Sequence, residues 1–586
     1  MFQSIRKFGW MASIAVAAVS VSCSSGDGKK KDRQTVVVHS LSEPEGLNPF
    51  TSSDAQASQI KLNIFQRLLH YDYETMELTP VLAQSRPEIK NEGNGISLTF
   101  KIRPEARWDN GEPITPADVI FSLKAVLNPK VNSDAVRPYF DFVDDVVLYE
   151  DDPLKFTVLT KEVYMLAEDV LGYDLTILPE YIFDSKKILR NFPVKEFTNQ
   201  SEDFINDPKI KEFADEFNSE DYTRNPKNIN GSGAYKLAQW QTQQRVILER
   251  KENWWGDQLK GENMFFDIHS KKLVYEVIND FNTALTALKA GKLDVMYVTP
   301  VKDYVDLDQS PKFKENFVKS EPEMLAFQYI GLNVRDKILS DKKIRQAIAY
   351  LTDVDQINEK ILYGKGKRIV GPILPQFKDA YASEIPLYTY DPEKAKKLLT
   401  EAGWKDTDGD GILDKVIDGQ KTPLKLVYTY NQGNSMRETV GLMLQNWLKQ
   451  AGIGLEIRTL EWGKYLGDLK QQKIQIFYGS WITDPRADDP KQIWHTESRN
   501  GGSNYTGFGN SQTDALIAQI RKELDPIKRN VLYHKWQAIL HDEVPYVFLN
   551  NQAFRNVINN RFENIHPSSV YPGYYEAGFK VKEIED

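Results

Sequence analysis

Residues 98–123 read LTFKIRPEARWDNGEPITPADVIFSL. The run GISLTFKI (95–102) ends on a basic, alternating pattern and reads as a strand. Asn110-Gly111 is turn chemistry, because these residues tolerate backbone conformations that others avoid. Thr115-Pro116 then opens an apolar-periodic helix to about Leu127. A capping residue is followed there by proline at the first helical position, where its missing N–H leaves no bond unmade. The stretch therefore reads strand, turn, helix.

The same punctuation recurs outward along the chain. Asp280 to Ala290 reads as a helix closed by Gly291, and the strand LDVMYV follows it directly. Ser340 is expected to cap DKKIRQAIAYL, and Thr352 to begin a second helix ending near Gly364. Asp391-Pro392 opens another, stopped by Gly403. Ser435 to Ala451 and Pro526 to Asp542 read as longer helices. Between them lie RVILER, LKLVYTY, LEIRTL and IQIFYGS, all strand-like. Alternating helices and strands make the class mixed α/β. Residues 185–227 are charged and dotted with Asn, Asp and Pro, and are expected to be an irregular surface excursion.

Composition narrows the function classes. At 586 residues, with 41% hydrophobic and 27% charged, the chain can bury several large cores. A net charge of −9 argues against nucleic-acid binding, which needs concentrated basic charge. One cysteine excludes a disulfide framework and a cysteine metal site within the chain.

That cysteine follows Arg6, Lys7 and an uncharged run from Gly9 to Val21. The run is too short for a transmembrane helix, which needs about 20 residues, and has the layout of a cleavable secretory signal. It ends Ser20-Val21-Ser22-Cys23, which resembles a bacterial lipobox, with Ser20 where such motifs usually carry Leu. We expect residues 1–22 to be a signal peptide, Cys23 to be lipidated, and residues 23–34 to be a flexible tether. The competing reading is an ordinary signal peptide that happens to contain Cys23.

Motifs for catalysis are absent. No serine sits in a Gly-x-Ser-x-Gly elbow, no His-Glu-x-x-His pair exists, and there is no phosphate-binding Gly-x-x-x-x-Gly-Lys-Ser/Thr loop. His534 and His541 could share a helix face, where solvation is commoner than metal binding. Asp406, Asp408, Asp410 and Asp414 have the spacing of a calcium loop around Gly411, but the position for a bidentate glutamate holds Ile417. A tight solvated turn is the expected reading, with calcium as the alternative; no other cofactor is expected.

Four segments taken together resemble the family 5 extracellular solute-binding proteins, the oligopeptide and dipeptide receptors of ABC importers. The first is Pro80-Val81-Leu82-Ala83 followed by the opening stretch, with Trp108, Asn110, Gly111, Pro113, Thr115, Asp118 and Val119 in the family's places and Pro116 replacing Ala. The second is Asn230-Gly231-Ser232-Gly233-Ala234-Tyr235 with VILERKENWW after it. The third is FQYIGLNVRDKILSDKKIRQAIAYLTDVDQI, which carries Asp341, Arg345, Gln346, Ala347 and Asp353. The fourth is YDPEKAKKLLTEAGW. The resemblance implies a three-lobed periplasmic-binding-protein-like fold of the class II, cluster C type, with a hinge between lobes I and III. Lobe I is expected from residues 35–75, 223–322 and 546–586, lobe II from 76–222, and lobe III from 323–545.

The segment IQIFYGSWITDPRADDP (474–490) is similar to the Gly-x-Trp-x-x-Asp segment with which the peptide receptors hold ligand, with Gly479, Trp481 and Asp484 matching. The resemblance gives Asp484 the α-ammonium group of a peptide, since a buried carboxylate needs a cation; a capped Asp-Pro turn is the bland alternative. By position, Ser53 and Ala55 are expected to pair with peptide backbone, and Tyr139 to be an aromatic lid from lobe II. Tyr478 and Trp481 would flank the anchor. Asn431 and Arg437 would meet a peptide carboxylate, although Tyr478 and Trp481 also read as core and Arg437 as a solvated helix residue.

The expected function is a non-enzymatic, lipid-anchored, monomeric receptor on the cell envelope, in the periplasm or on the outer face of a bacterial membrane. It would capture short peptides and deliver them to ABC permease subunits, with no nucleic acid involved. Alternatives are the same scaffold holding an oligosaccharide, metal complex, haem or opine; a secreted hydrolase with paired carboxylates; or a sensory or chaperone-like protein without a transporter.

Overall fold

The computed structural model describes residues 33–298, 301–500 and 502–583. Cys23, the signal segment and most of the tether lie outside the described residues.

The opening stretch forms the predicted units. Strand Ile96–Lys101 is followed by a turn in which Trp108 N–H donates to Glu112 O at 2.9 Å and Gly111 takes φ +86°. Helix Pro116–Leu127 begins after Thr115, whose backbone N–H and hydroxyl both donate to Asp118 Oδ2, at 2.9 and 3.2 Å. Trp108 is buried, and its indole N–H reaches the other Asp118 oxygen at 3.3 Å. Two later caps fall one residue beyond expectation. Asp341 rather than Ser340, and Asp353 rather than Thr352, accept the free N–H groups of their helices. Thr352 instead turns its hydroxyl back to Ile348 O at 2.8 Å.

Two large sheets organise the chain. Lobe I carries a seven-stranded sheet in the order Phe317–Ser320, Asn556–Asn559, Val295–Tyr297, Thr35–Ser40, Lys272–Val277, Arg245–Arg250 and Tyr235–Gln241. Its central strand Thr35–Ser40 runs parallel to two neighbours and is buried almost throughout, which accounts for its unbroken Val36-Val37-Val38. Lobe III carries a six-stranded sheet in the order Gly366–Arg368, Tyr546–Ala553, Glu323–Leu332, Ile476–Ile482, Lys425–Asn431 and Gly454–Leu460.

The sheets are joined by one pair of segments. Phe317–Ser320 pairs with Asn556–Asn559 in the first sheet, and Glu323–Leu332 pairs with Tyr546–Ala553 in the second. The two chains thus cross side by side at 320–323 and 553–556, tied by Phe554 N–H to Pro322 O at 2.8 Å. This corrects the expected boundary at 545/546, because Tyr546–Ala553 belongs to the lobe III sheet and the crossing follows it.

Lobe II is built on a four-stranded antiparallel sheet, Glu88–Asn91, Ile96–Lys101, Lys155–Thr160 and Val143–Leu148, with Phe100 and Phe156 stacked at 5.6 Å. Residues 185–227 are not the irregular excursion expected. They form short helices whose Phe197, Phe204, Phe213 and Phe217 are buried. In helix Pro208–Phe217 the buried residues are Ile210, Phe213, Ala214 and Phe217, an apolar stripe at helical spacing beneath a charged outer face.

Gly233 explains part of the second motif. A side chain there would meet the Asn63 carbonyl oxygen at 2.5 Å and the Ile64 carbonyl oxygen at 2.7 Å, while Gly233 N–H donates to that Ile64 oxygen.

Candidate functional site: an interlobe cleft

The cleft is carried by the strand Ile476–Ile482 and the loop after it. Strand geometry sends alternate side chains to opposite faces. Phe477, Gly479 and Trp481 share one face, and Ile476 and Tyr478 the other. A side chain at Gly479 would run into the Tyr329 ring at 2.4 Å. Tyr329 stacks on Tyr546 at 3.7 Å, and Tyr546 Oη accepts the Trp481 indole N–H at 3.3 Å. The glycine therefore leaves room for the aromatic floor on which Trp481 is set. Trp481 also stacks with Tyr505 at 6.0 Å.

Trp481 lines a cavity of about 740 Å³. Lobe III supplies Phe327, the loop 372–380, the loop 481–489, Gln492, Arg529 and Tyr533; lobe II supplies Tyr139 and Leu166. A second cavity of about 380 Å³ also borders Tyr139. Its walls are Ser53, Lys61 and Arg67 from lobe I, Tyr139 and Asp174 from lobe II, and Asp484 and Arg486 from lobe III. Tyr139, Asp484 and Arg486 border both.

Arg486 is the electrostatic centre. Its guanidinium donates to Asp174 Oδ2 at 2.7 Å and to Asp484 Oδ2 at 2.8 Å. Burial opposes its charge, but the two carboxylates outweigh that and hold it well above the ordinary range. Asp489 is also committed, accepting from Arg521 at 2.9 Å and from the Tyr164 hydroxyl at 3.0 Å. The Arg486–Asp174 and Tyr164–Asp489 contacts, with Tyr139 Oη to Gln492 Oε1 at 3.3 Å, dock lobe II against lobe III.

On the lobe I side Lys61 donates to Pro49 O and Ser52 O, which fastens the loop carrying Ser53. Burial and the nearby charge of Arg67 lower the Lys61 ammonium to about 8. Asp54 caps helix Ala55–Ile64 through Ala57 N–H at 2.8 Å.

Of the residues expected at the site, Asp484, Trp481, Tyr139 and Ser53 are brought to these cavities. Four are not. Tyr478 is buried in the lobe III core, its hydroxyl against Met436, because it lies on the strand face opposite Trp481. Ala55 begins its helix and stays off the cavity wall. Asn431 Oδ1 accepts from Arg437 at 2.8 Å, and the Arg437 guanidinium lies over Trp462 and Tyr465. That pair lines neither cavity. The premise for Asp484 is corrected too: its side chain is 46% exposed and already has Arg486 as cation partner.

The acidic loop takes the form of a turn. Asp406, Asp408 and Asp414 converge, but Asp406 accepts from Gly409 and Gly411 N–H, and Asp410 stands apart accepting from Ile412 N–H. The Lys421 ammonium, on the adjoining strand Gln420–Pro423, lies 2.6 Å from Asp408 and 3.3 Å from Asp414, so the acidic cluster already faces a cation. His534 bonds Glu384 and the Asp379 carbonyl. Among the described residues, no helix is long and apolar enough to cross a membrane.

Arg486, Asp174, Phe327, Gln492, Tyr533 and the loop 372–380 were not anticipated. Arg486 sits two residues past Asp484, so the segment itself held that signal; the others meet only through tertiary structure.

Two sheets joined by a pair of crossing segments, with open cavities between the lobes, define a solute-binding protein of the periplasmic-binding type. Residues 77–504 match the family described as bacterial extracellular solute-binding proteins, family 5 Middle, and the chain belongs to that family. It is 28% identical over 530 residues to the oligopeptide-binding protein AppA of Bacillus subtilis, covering 89% of this chain and 87% of that one. It is 26% identical to the dipeptide-binding protein of Escherichia coli, covering 93% and 94%. The structure of Bacillus subtilis AppA in complex with a nonapeptide superposes with TM-score 0.69 at 24% identity, over 94% of this chain and 99% of that one.

Proposed function

We propose that this chain is a receptor that captures short peptides between its lobes and delivers them to the permease of an ABC importer. The carrying observation is the cavity of about 740 Å³, on whose wall the Gly479-x-Trp481-x-x-Asp484 segment presents an aromatic face and a charged pair. Its size falls within the roughly 300–1,000 Å³ typical of sites that enclose small ligands. The names of the relatives support the peptide class. Arg486 and Asp484 offer a donor and an acceptor side by side, suited to the polar backbone of an extended peptide. Nothing in this role calls for catalysis.

Native mass spectrometry of protein purified from cells tests the ligand class. The expected result is a population of bound masses that fragment as peptides. A single bound sugar, haem or metal complex would replace the peptide reading with one of the other solutes. The cell-envelope location rests on Cys23. Cys23→Ser should move the protein from the membrane fraction to the soluble fraction, because stable anchoring takes more than one acyl chain and none would be attached. Continued membrane retention of normally cleaved Cys23→Ser protein would sink the lipid anchor.

A further inference from the structure

The smaller cavity carries three cations and two carboxylates on its wall: Lys61, Arg67 and Arg486 against Asp174 and Asp484. Both carboxylates are committed to Arg486, at 2.7 and 2.8 Å. The two lobe I cations are left over. The Lys61 ammonium donates to the Pro49 and Ser52 carbonyls, and among the described residues it has no ion pair. The Arg67 guanidinium lies over the Tyr173 ring, 4.2 Å from its centre, and among the described residues it too has no ion pair. Tyr173 is held edge-on against Tyr71 at 4.7 Å and His70 at 5.1 Å, so the guanidinium sits on a fixed ring. Other carboxylates in the neighbourhood are engaged. Asp54 caps helix Ala55–Ile64 and accepts from Glu45 N–H at 3.2 Å, and Asp169 accepts from the Tyr71 hydroxyl.

Two like charges on one wall repel, and a cavity that gathers them without a carboxylate is matched to a ligand that supplies one. Resting on the reading of this cleft as a peptide site, we infer that Arg67 and Lys61 form a subsite for a carboxylate of the bound peptide, either its C-terminus or an acidic side chain. Tyr139, Asp484 and Arg486 border both cavities, so a peptide in the larger one meets the smaller at that border. A guanidinium suits the role, since its planar fork takes both carboxylate oxygens while its face stays on an aromatic ring. Arg486, by contrast, would have to surrender Asp174 or Asp484 to take a third carboxylate.

The protonation of Lys61 responds to such a group. Burial, reinforced by the charge of Arg67 and opposed by Asp54, lowers its ammonium to about 8. The other charged and titratable groups facing the cavity are Asp174 and Tyr139 from lobe II, and Asp484 and Arg486 from lobe III. His70, packed against Tyr173, is neutral, its imidazole pushed down to about 3 by burial and by Arg67. A carboxylate set beside Lys61 favours the charged ammonium. Binding should therefore take up a proton near pH 8, with affinity full below about 8 and falling as pH rises above it.

The test is calorimetry with four peptides and one non-peptide probe: Ala-Glu-Ala, Ala-Glu-Ala-amide, Ala-Gln-Ala, Ala-Gln-Ala-amide and the dicarboxylate glutarate. The four peptides separate the C-terminal carboxylate from the side-chain one. Arg67→Gln should weaken the peptides that carry the recognised carboxylate by roughly tenfold or more, and Arg67→Lys by less. Ala-Gln-Ala-amide, which has no carboxylate, should be indifferent to both changes. Should Arg67→Gln fold poorly, the wild type suffices: at pH 8 the recognised peptides should take up a proton on binding, read as a buffer-dependent heat, and Ala-Gln-Ala-amide should not. Peptides that bind the wild type equally with and without a carboxylate overturn the subsite and leave the peptide reading standing. So does a carboxylate preference that survives Arg67→Gln undiminished. Binding of glutarate alone, weakened in Arg67→Gln, overturns the peptide reading and keeps the subsite. Failure of all five probes overturns both.

Discussion

Replacing Arg486 by alanine should cost about 2–4 kcal/mol of stability in the ligand-free protein, and replacing Asp174 by asparagine in the same chain should restore most of it. The asymmetry follows from what each change leaves behind. Arg486 is 12% exposed and Asp174 21% exposed, so removing the guanidinium leaves a largely buried carboxylate without its cation. Asp484, half exposed, resolvates at little cost. The double variant has no stranded charge, and removing both partners of a recessed pair is far cheaper than removing one. Because Asp174 belongs to lobe II and Arg486 to lobe III, the single variant should also loosen the contact between the lobes. Peptide affinity should fall with it, since both cavities border Arg486.

The pH dependence has a defined sign. Burial, with the like charge of Asp484, already raises the Asp174 carboxyl against the pull of Arg486. Removing Arg486 raises it further. A carboxyl whose folded value exceeds its unfolded value of about 3.9 holds a proton that the unfolded chain has lost. The deficit of Arg486→Ala should therefore be small near pH 4 and widen as pH rises toward neutrality. Urea denaturation across this range checks both claims. A double variant no more stable than the single one would show that the stranded carboxylate is not the cause.

How far the sequence could be read depended on whether the signal was local. The strand, turn and helix of residues 95–127 were legible because Asn110-Gly111, Thr115, Pro116 and Asp118 act on their immediate neighbours. Trp481 and Asp484 were legible because their motif is contiguous. Tyr478 was misplaced although strand periodicity decides it: three residues from Trp481, it must face the other way. Residues 185–227 misled because charge was weighed over the whole segment, whereas the apolar stripe Ile210, Phe213, Ala214 and Phe217 appears only at helical spacing. The boundary near 546 could not be seen, because Tyr546–Ala553 and Asn556–Asn559 look alike as strands and only their partners differ. Asp174 meets Arg486 across 312 residues of chain, and nothing near either one announces it.

A saturating peptide should bring the lobes together, and the hinge for this motion is the pair of crossing segments at 320–323 and 553–556. Two segments side by side, with Pro322 carrying no N–H and the Phe554 N–H to Pro322 O bond tying them at the crossing, can bend there without breaking either sheet. Binding must favour the closed form for this to occur, since a ligand with equal affinity for both forms shifts nothing. The differential is built into the walls. Ser53 and Lys61 lie on lobe I, Tyr139 on lobe II, and Trp481 and Arg486 on lobe III, and an open form can offer a ligand only one of these sides at a time. Ligand should thus reduce the radius of gyration in solution scattering. At 100 times its dissociation constant it should stabilise the folded protein by about 2.7 kcal/mol, with the thermal midpoint rising as the logarithm of ligand concentration. Trp481, half-buried beside Tyr505 and bonded to Tyr546, should change its fluorescence as the cavity closes, and Trp481→Phe should remove most of that signal. An unchanged scattering curve at saturation would exclude hinge closure. The peptide would then have to enter a preformed cavity, and the receptor would have no change of shape with which to signal its loaded state to a permease.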